Sequence, residues 1–109
     1  MKKFMALYIG SGGAAPAMDP EAMQRGMAAW GDWMGQHQGV IVDAGGPLGK
    51  TKKASAEGIS DTRNLVTGYV IVQAESHDVA VRMFQDHPHF AIFPGDSVEV
   101  MELLPIPGA

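Results

Sequence analysis

The sequence predicts one α+β domain with a ferredoxin-like, split βαβ arrangement. Its 109 residues suit a single domain of ordinary size, so we assign residues 1–109 to one unit. The hydrophobic content of 46% is typical of a globular chain with a core. Strand-like and helix-like segments follow one another in the order β-α-β-β-α-β, which predicts an antiparallel sheet with two helices on one face.

The first strand is predicted over residues 3–9, where side chains alternate between two faces. One face carries Phe4 and Tyr8 and the other carries Leu7 and Ile9, so both are largely apolar. This pattern is typical of a strand that is buried on both sides or lies at an oligomer interface.

The first helix is predicted to begin at Asp19 and Pro20, an N-cap acid followed by a proline suited to the first helical position, after a loop over residues 10–17. Gly39 is expected to end the helix. One apolar stripe at helical spacing is predicted from Met23, Met27, Trp30, Met34 and His37.

The middle of the chain predicts two further strands. Residues 40–42 form a short strand that residues 43–49 are expected to stop, because glycines and a proline dominate there. Residues 50–60 are small and polar, which predicts an exposed loop or a mobile hairpin. Residues 64–74 are rich in β-branched and aromatic side chains and predict the third strand.

Ser76 is the expected N-cap of the second helix. Pro88 is expected to end that helix, because it disfavours helical backbone at the preceding residue. Residues 90–96 predict a compact apolar loop and residues 97–104 the last strand. Both faces of the predicted sheet are apolar, and a face left bare by the helices would seek a partner. We therefore expect a homodimer formed sheet to sheet.

Composition narrows the range of functions. The chain has 12 acidic and 8 basic residues, a balance that argues against a nucleic-acid groove. Cysteine is absent, which excludes a Cys nucleophile and thiolate metal sites. No segment approaches the roughly 18–20 apolar residues of a membrane span. We expect a soluble, cytoplasmic protein that binds neither nucleic acid nor membrane.

Nearly the whole chain resembles the YCII-related family in the order and spacing of short motifs. The segments that carry the resemblance are Trp30-Gly31-Asp32-Trp33-Met34, Gly39 to Leu48, Gly68-Tyr69-Val70-Ile71-Val72, Pro88 and Val98-Glu99-Val100. The resemblance implies a dimeric α/β barrel built from ferredoxin-like protomers, and some members resemble small-molecule lyases or dehalogenating enzymes.

The family's proposed His–Asp dyad is not matched. Trp30 stands near the position of the family's histidine, and His87 stands where the family has its aspartate. One branch carries an Asp-Gly-Pro-Phe signature, and this chain has residues 58–62 there instead. The dyad is therefore not carried over.

Candidate acid/base residues are His87 and His89, two imidazoles beside the rigid Pro88. Imidazole is the side chain best suited to proton transfer near neutral pH. Asp43, at a predicted strand end, is the expected orienting partner. The alternatives are a helix C-terminus stabilised by histidine and a turn stabilised by Asp43. A third ligand would be needed for metal, so we predict neither metal nor cofactor.

Aromatic side chains are the candidate walls of a substrate pocket, although a place in the core is the alternative for the tryptophans. The candidates are Tyr8, Trp30, Trp33, Phe90 and Phe93. We predict an acid/base enzyme, lyase- or isomerase-like, acting on a small organic molecule such as an aromatic one. The alternatives are a non-catalytic ligand-binding or regulatory dimer and a purely structural dimer. Residues 50–60 could form a lid or only a loop.

Overall fold

The computed structural model describes residues 1–13 and 17–108, so the predicted loop of residues 10–17 lies partly outside the described residues. Six strands and three helices lie within these described residues. In chain order they are β1 (Lys2–Ile9), α1 (Pro20–Gln36), β2 (Ile41–Pro47), β3 (Thr51–Ser55), β4 (Gly58–Thr62), β5 (Val66–Ala74), α2 (His77–Arg82), α3 (Pro88–Ala91) and β6 (Ser97–Glu102).

The main sheet has the strand order β2-β5-β1-β6, and each neighbouring pair is antiparallel. This order confirms the predicted ferredoxin-like arrangement, with the inserted β3–β4 hairpin forming a separate two-stranded sheet. In β1, Phe4 pairs with Val72 of β5 and Tyr8 pairs with Gly68. Tyr8 therefore lies beside Gly68, a residue that has no side chain.

The core lies between one face of the sheet and the two longer helices. Its buried members are Phe4, Ala6, Tyr8, Trp33, Val70, Val72, Ala74, Ala80 and Phe84. Alternate residues of β1 and β5 supply most of them, because successive strand side chains point to opposite faces. The other face of the sheet carries half-buried apolar side chains, including Leu7 and Ile71.

Both predicted helix caps are present. The Asp19 carboxylate accepts a hydrogen bond from the Ala22 backbone N–H at 2.7 Å, and Ser76 caps α2 through the Val79 N–H at 3.2 Å. Each satisfies a backbone donor that the first helical turn leaves free.

The predicted helical stripe of α1 is wrong at its N-terminal end. Met23 and Met27 are exposed, whereas Gly26 and Trp33 are the buried residues of the helix. The reason is a close approach: a Cβ on Gly26 would lie 2.6 Å from the Phe93 ring. Because the helix packs against Phe93 at Gly26, the face that contains Gly26 is turned toward the core and the two methionines face solvent.

β2 continues past the predicted stop at residue 43 and ends at Pro47. Its pairing with β5 shifts register on both sides of Asp43, so bulges absorb the glycines rather than ending the strand. Gly45 has a φ of +64°, and a Cβ there would overlap the Tyr69 carbonyl oxygen. Glycine is therefore required at this bulge.

The sequence predicts either a loop or a hairpin for residues 50–60. In the structure most of them form the β3–β4 hairpin. The segment predicted as an apolar loop begins instead within the one-turn helix α3, where the His87 ring caps the first turn by accepting the His89 backbone N–H. No helix among the described residues is long and apolar enough to cross a membrane.

Candidate functional site

A cavity of about 200 Å³ opens beside Tyr8, between the N-terminal strand, α1 and the bulged end of β2. We call it the Tyr8 cavity. Its lining residues are Tyr8, Trp30, Ala44, Gly46, Pro47, Thr67, Gly68 and Tyr69. An apolar cavity of about 150 Å³ is enough for benzene. The volume of the Tyr8 cavity therefore suits one substituted ring.

The glycine of β5 keeps this cavity open. A Cβ on Gly68 would lie 3.0 Å from the Gly46 carbonyl oxygen and 3.4 Å from the Tyr8 ring. Glycine in a strand often marks a place where a backbone or ligand approaches closely. Here it lets β2 approach β5 while leaving the face of the tyrosine uncovered by a side chain.

The Tyr8 hydroxyl is paired with His87, which is 79 residues away in sequence. The Tyr8 oxygen lies 3.4 Å from Nε2 of His87, and Nδ1 of the same ring accepts the His89 backbone N–H at 3.0 Å. Since Nδ1 is an acceptor, the neutral ring carries its proton on Nε2. Nε2–H therefore donates to the Tyr8 oxygen, which leaves the tyrosine O–H available to donate to another acceptor.

His87 is completely buried, with an exposed fraction of 0%. Aromatic rings surround it, with centroids 4.7 to 5.8 Å from its own, and they belong to Tyr8, Trp30, Trp33 and Phe84. Burial, and to a lesser extent repulsion from His89 and His37, lowers the pKa of His87 to about 4. The ring is therefore neutral at physiological pH.

Burial also raises the pKa of the Tyr8 hydroxyl well above its usual range. A tyrosine in this state keeps its proton and acts as a hydrogen-bond donor. The pair therefore combines one neutral O–H with a neutral imidazole, and the tyrosine lines a cavity that Trp30 also lines. Such a donor can stabilise negative charge that develops on an oxygen atom of a bound ring.

His89 packs its ring near that of Tyr8, with centroids 5.2 Å apart, but makes its hydrogen bond elsewhere. It is 7% exposed, and its Nε2–H donates to the Ile9 carbonyl at 2.8 Å. The ring packs so tightly on Gly95 that a Cβ there would overlap its imidazole atoms. His89 lines a different cavity, which also includes Arg63 and Asn64.

Asp43 does not join the two histidines. Its carboxylate accepts the Gly45 backbone N–H at 2.8 Å and faces the Tyr69 hydroxyl at 3.5 Å. The hydrogen bond from Gly45 is the one expected if Asp43 stabilises a turn, which is the alternative to an orienting role. The structure gives Asp43 no hydrogen bond to His87 or His89, so the expected orienting contact is absent among the described residues.

The predicted aromatic walls divide among three places. Tyr8 and Trp30 line the Tyr8 cavity with ring centroids 4.9 Å apart, and Phe93 lies next to it, 6.0 Å from Trp30. Trp33 lies in the core and donates its indole N–H to the Met83 carbonyl at 2.7 Å. Phe90 is 37% exposed and lines a shallow cavity elsewhere.

Six of the eight lining residues were not predicted as site residues from the sequence: Ala44, Gly46, Pro47, Thr67, Gly68 and Tyr69. A signal that could have found them is Gly68 itself, a glycine inside a strand rich in β-branched residues. No three His, Asp or Glu side chains within residues 1–13 and 17–108 lie close enough together to hold a metal ion.

Comparison with known proteins shows the fold alone. No family model matches the chain, and no curated protein matches it. The chain is similar in structure to 5-chloro-2-hydroxyhydroquinone dehydrochlorinase (TftG) from Burkholderia phenoliruptrix AC1100 in complex with 2,5-dihydroxybenzoquinone. The TM-score is 0.57 at 17% identity, over 94% of this chain and 93% of that one.

A hypothetical protein of Arabidopsis thaliana, solved in solution, gives a TM-score of 0.44 at 18% identity, over 99% of this chain and 90% of that one. The first similarity supports the ferredoxin-like α+β fold of this chain.

Proposed function

We propose that this protein is an acid/base enzyme, lyase- or isomerase-like, that acts on a small hydroxylated aromatic molecule in the Tyr8 cavity. The observation that carries the proposal is the buried Tyr8–His87 pair at the wall of a one-ring cavity. The structural neighbour that is named for its action on a chlorinated hydroquinone supports the substrate class.

The role of each residue in the proposed reaction follows from its protonation state. Tyr8 donates its hydroxyl proton in a hydrogen bond to a ring oxygen, which stabilises the enolate or phenolate form of the ligand. His87 does not touch the ligand: it holds Tyr8 in place through Nε2–H and shares the charge that builds up on the tyrosine oxygen. Solvent water then delivers a proton to the adjacent ring carbon of this form and takes up the ring proton that leaves when the aromatic ring is restored.

Replacing Tyr8 by Phe tests this assignment. We expect Tyr8→Phe to weaken the binding of hydroquinone roughly 10-fold, about 1.4 kcal/mol, because one hydrogen bond to the ligand is lost. Titration calorimetry measures the effect. Ser97→Ala is the control, because it also removes one hydroxyl, but that hydroxyl donates to Asp96 and lies outside the cavity. Equal effects of both changes would contradict the role of Tyr8.

Catalysis is tested separately from binding by deuterium exchange. In D₂O the wild-type protein should speed exchange of the ring C–H next to a hydroxyl in 1,2,4-trihydroxybenzene, and Tyr8→Phe should slow it toward the background rate. Nuclear magnetic resonance of the ligand follows the loss of that proton signal.

A specific observation favours the second candidate function, a non-catalytic ligand-binding or regulatory protein. Apart from the two tyrosines, the described lining of the Tyr8 cavity contains no titratable side chain. Tight binding of a hydroxylated ring without any protein-dependent exchange would select this function over the enzyme.

We also infer that the second sheet face is closed by another copy of the chain. Apolar side chains on that face are Met5, Leu7, Ile9, Ile71 and Met101. Such a face is expected to seek a partner. The motif order described above further supports a place among YCII-related proteins.

Charge on this face should separate the two copies. We expect Leu7→Glu to convert a dimer into a monomer, as measured by light scattering. Ile59→Glu is the control, because Ile59 is an apolar residue of the hairpin that is 81% exposed. A wild-type monomer, or a dimer that is unaffected by Leu7→Glu, would contradict this interface.

A further inference from the structure

A second, wider apolar space of about 590 Å³ lies directly outside the Tyr8 cavity. We call it the Phe93 groove. Its lining residues are Met27, Trp30, Gly31, Pro47 and Phe93. Trp30 and Pro47 line both spaces. The two spaces therefore adjoin at these two residues.

One wall of the groove is fixed and the other is adaptable. The Phe93 ring is held against α1 at Gly26, where a Cβ would lie 2.6 Å from it, and stands 6.0 Å from the Trp30 ring. Met27, on the same helix, is 65% exposed. Its unbranched thioether side chain can adjust to the shape of a bound group.

The chemistry of the groove is uniform. None of its five lining residues carries a charge, a hydroxyl or an amide side chain, so it offers a ligand apolar contact. Gly31, one of the lining residues, leaves open space beside it, since a Cβ there would meet no atom within 4 Å. The groove is therefore not filled by the chain's own side chains.

We propose that the ligand of this protein is a hydroxylated ring that carries an apolar alkyl substituent, with the ring in the Tyr8 cavity and the substituent in the Phe93 groove. This inference rests on the proposed function and specifies its substrate class. The cavity accepts one ring and its hydroxyl partner, and the groove accepts several carbon atoms without a polar group.

Binding of phenol and 4-butylphenol to the full chain tests the proposal. A fully buried methylene improves binding about 4-fold, and a groove that covers one side gives about 2-fold for each carbon. We therefore expect 4-butylphenol to bind about 15-fold more tightly than phenol. The Trp30 indole N–H signal should shift with both compounds, with the core residue Trp33 as the internal reference.

Filling the groove should abolish this gain. Gly31→Leu places a side chain in open space within the groove, so we expect 4-butylphenol to bind within about 2-fold of phenol. Gly35→Leu is the matched control, one turn further along α1, where a Cβ also meets nothing within 4 Å. It should leave the 15-fold gain intact.

The outcomes separate the two proposals. Loss of the gain in Gly31→Leu alone supports the groove as the site of the substituent. Equal binding of phenol and 4-butylphenol to the wild type overturns it, while Tyr8-dependent phenol binding would still support the proposed function. Failure of both compounds to bind overturns both. A Gly31→Leu protein that changes from dimer to monomer would show that a second copy occupies the groove, which also overturns it.

Discussion

Polar residues are frequent both in the segment of sequence around His87 and in the β3–β4 hairpin, but the fold buries His87 and leaves the hairpin exposed. The His87 ring is fully buried among four aromatic rings, and both of its nitrogens are hydrogen-bonded. The hairpin is almost entirely exposed, and its Lys52–Asp61 ion pair, at 2.6 Å, lies in solvent. Burial shifts the protonation equilibrium of His87, whereas solvent screens the charges of the hairpin.

This contrast is the reason that we place function at Tyr8 rather than at the hairpin. A groove of about 610 Å³ at the base of the hairpin is larger than the Tyr8 cavity, and it contains Lys50 and Arg63. Its charged side chains are exposed to solvent. The volume of a groove alone therefore does not identify a functional site, because a site also needs polar atoms that the fold holds in position.

The largest difference between the regions should appear when an apolar side chain is truncated. Phe4 is 0% exposed beneath the helices, so we expect Phe4→Ala to lower the free energy of unfolding by about 3–5 kcal/mol. Ile59→Ala, in the hairpin, should change it by less than about 0.5 kcal/mol. Urea denaturation measures both. Comparable losses would contradict the division of the molecule into a core and an exposed hairpin.

Acid should act on the His87 region next. The folded pKa of His87 is about 4 against 6.5 for the ordinary side chain, so the unfolded chain binds more protons between these values. The contribution of His87 is thus complete above pH 6.5 and is lost as the pH falls toward 4. We expect it to remove at most about 3 kcal/mol of stability over that window.

Urea denaturation at a series of pH values measures this loss. His87→Asn is the control, because its amide oxygen can accept the His89 N–H at the start of α3 but cannot titrate in this range. The variant should show a flatter dependence of stability on pH between 4 and 6.5. An identical slope in wild type and variant would mean that His87 is not the titrating group.

A smaller effect is expected from adding one methyl group beside His89. Gly95→Ala places a Cβ against the imidazole and the backbone of His89, and we expect a loss of about 1–3 kcal/mol. Gly49→Ala, next to the hairpin, meets no atom within 4 Å and should be close to neutral. Thermal unfolding compares the two, and a neutral Gly95→Ala would show that the His89 packing is loose.

The smallest effect belongs to the exposed ion pair. Lys52→Ala should change the free energy of unfolding by about 0.5 kcal/mol or less, because both partners remain largely in solvent. Urea denaturation at low and high salt checks this expectation. A loss above about 1 kcal/mol that disappears in salt would indicate that the hairpin contributes more than its exposure suggests.

Local signals predicted the framework well. The Asp19-Pro20 start of α1, the Ser76 cap of α2 and the apolar alternation of β1 and β5 all lie where the sequence indicated. The two strands of the hairpin bury almost nothing, so no hydrophobic periodicity marked them as strands rather than loop.

The arrangement of the candidate site could be predicted only in part. Tyr8, Trp30 and the histidines were singled out by residue type, but the contact between Tyr8 and His87 spans 79 residues and depends on tertiary packing. The α1 stripe failed because Gly26 meets Phe93, a contact between distant segments. For the same reason, nothing local showed that His87 would be buried and Asp43 would face Tyr69.

We infer that Tyr8 is supported by a neutral His87 that carries its proton on Nε2. Long-range ¹H–¹⁵N correlation spectra of the histidine rings at pH 5.5 measure the protonation of each ring nitrogen. We expect the His87 ring to be neutral, with an unprotonated Nδ1 and a protonated Nε2. A charged ring, or a neutral ring with its proton on Nδ1, would contradict the claim, because Nδ1 could then not accept the His89 N–H.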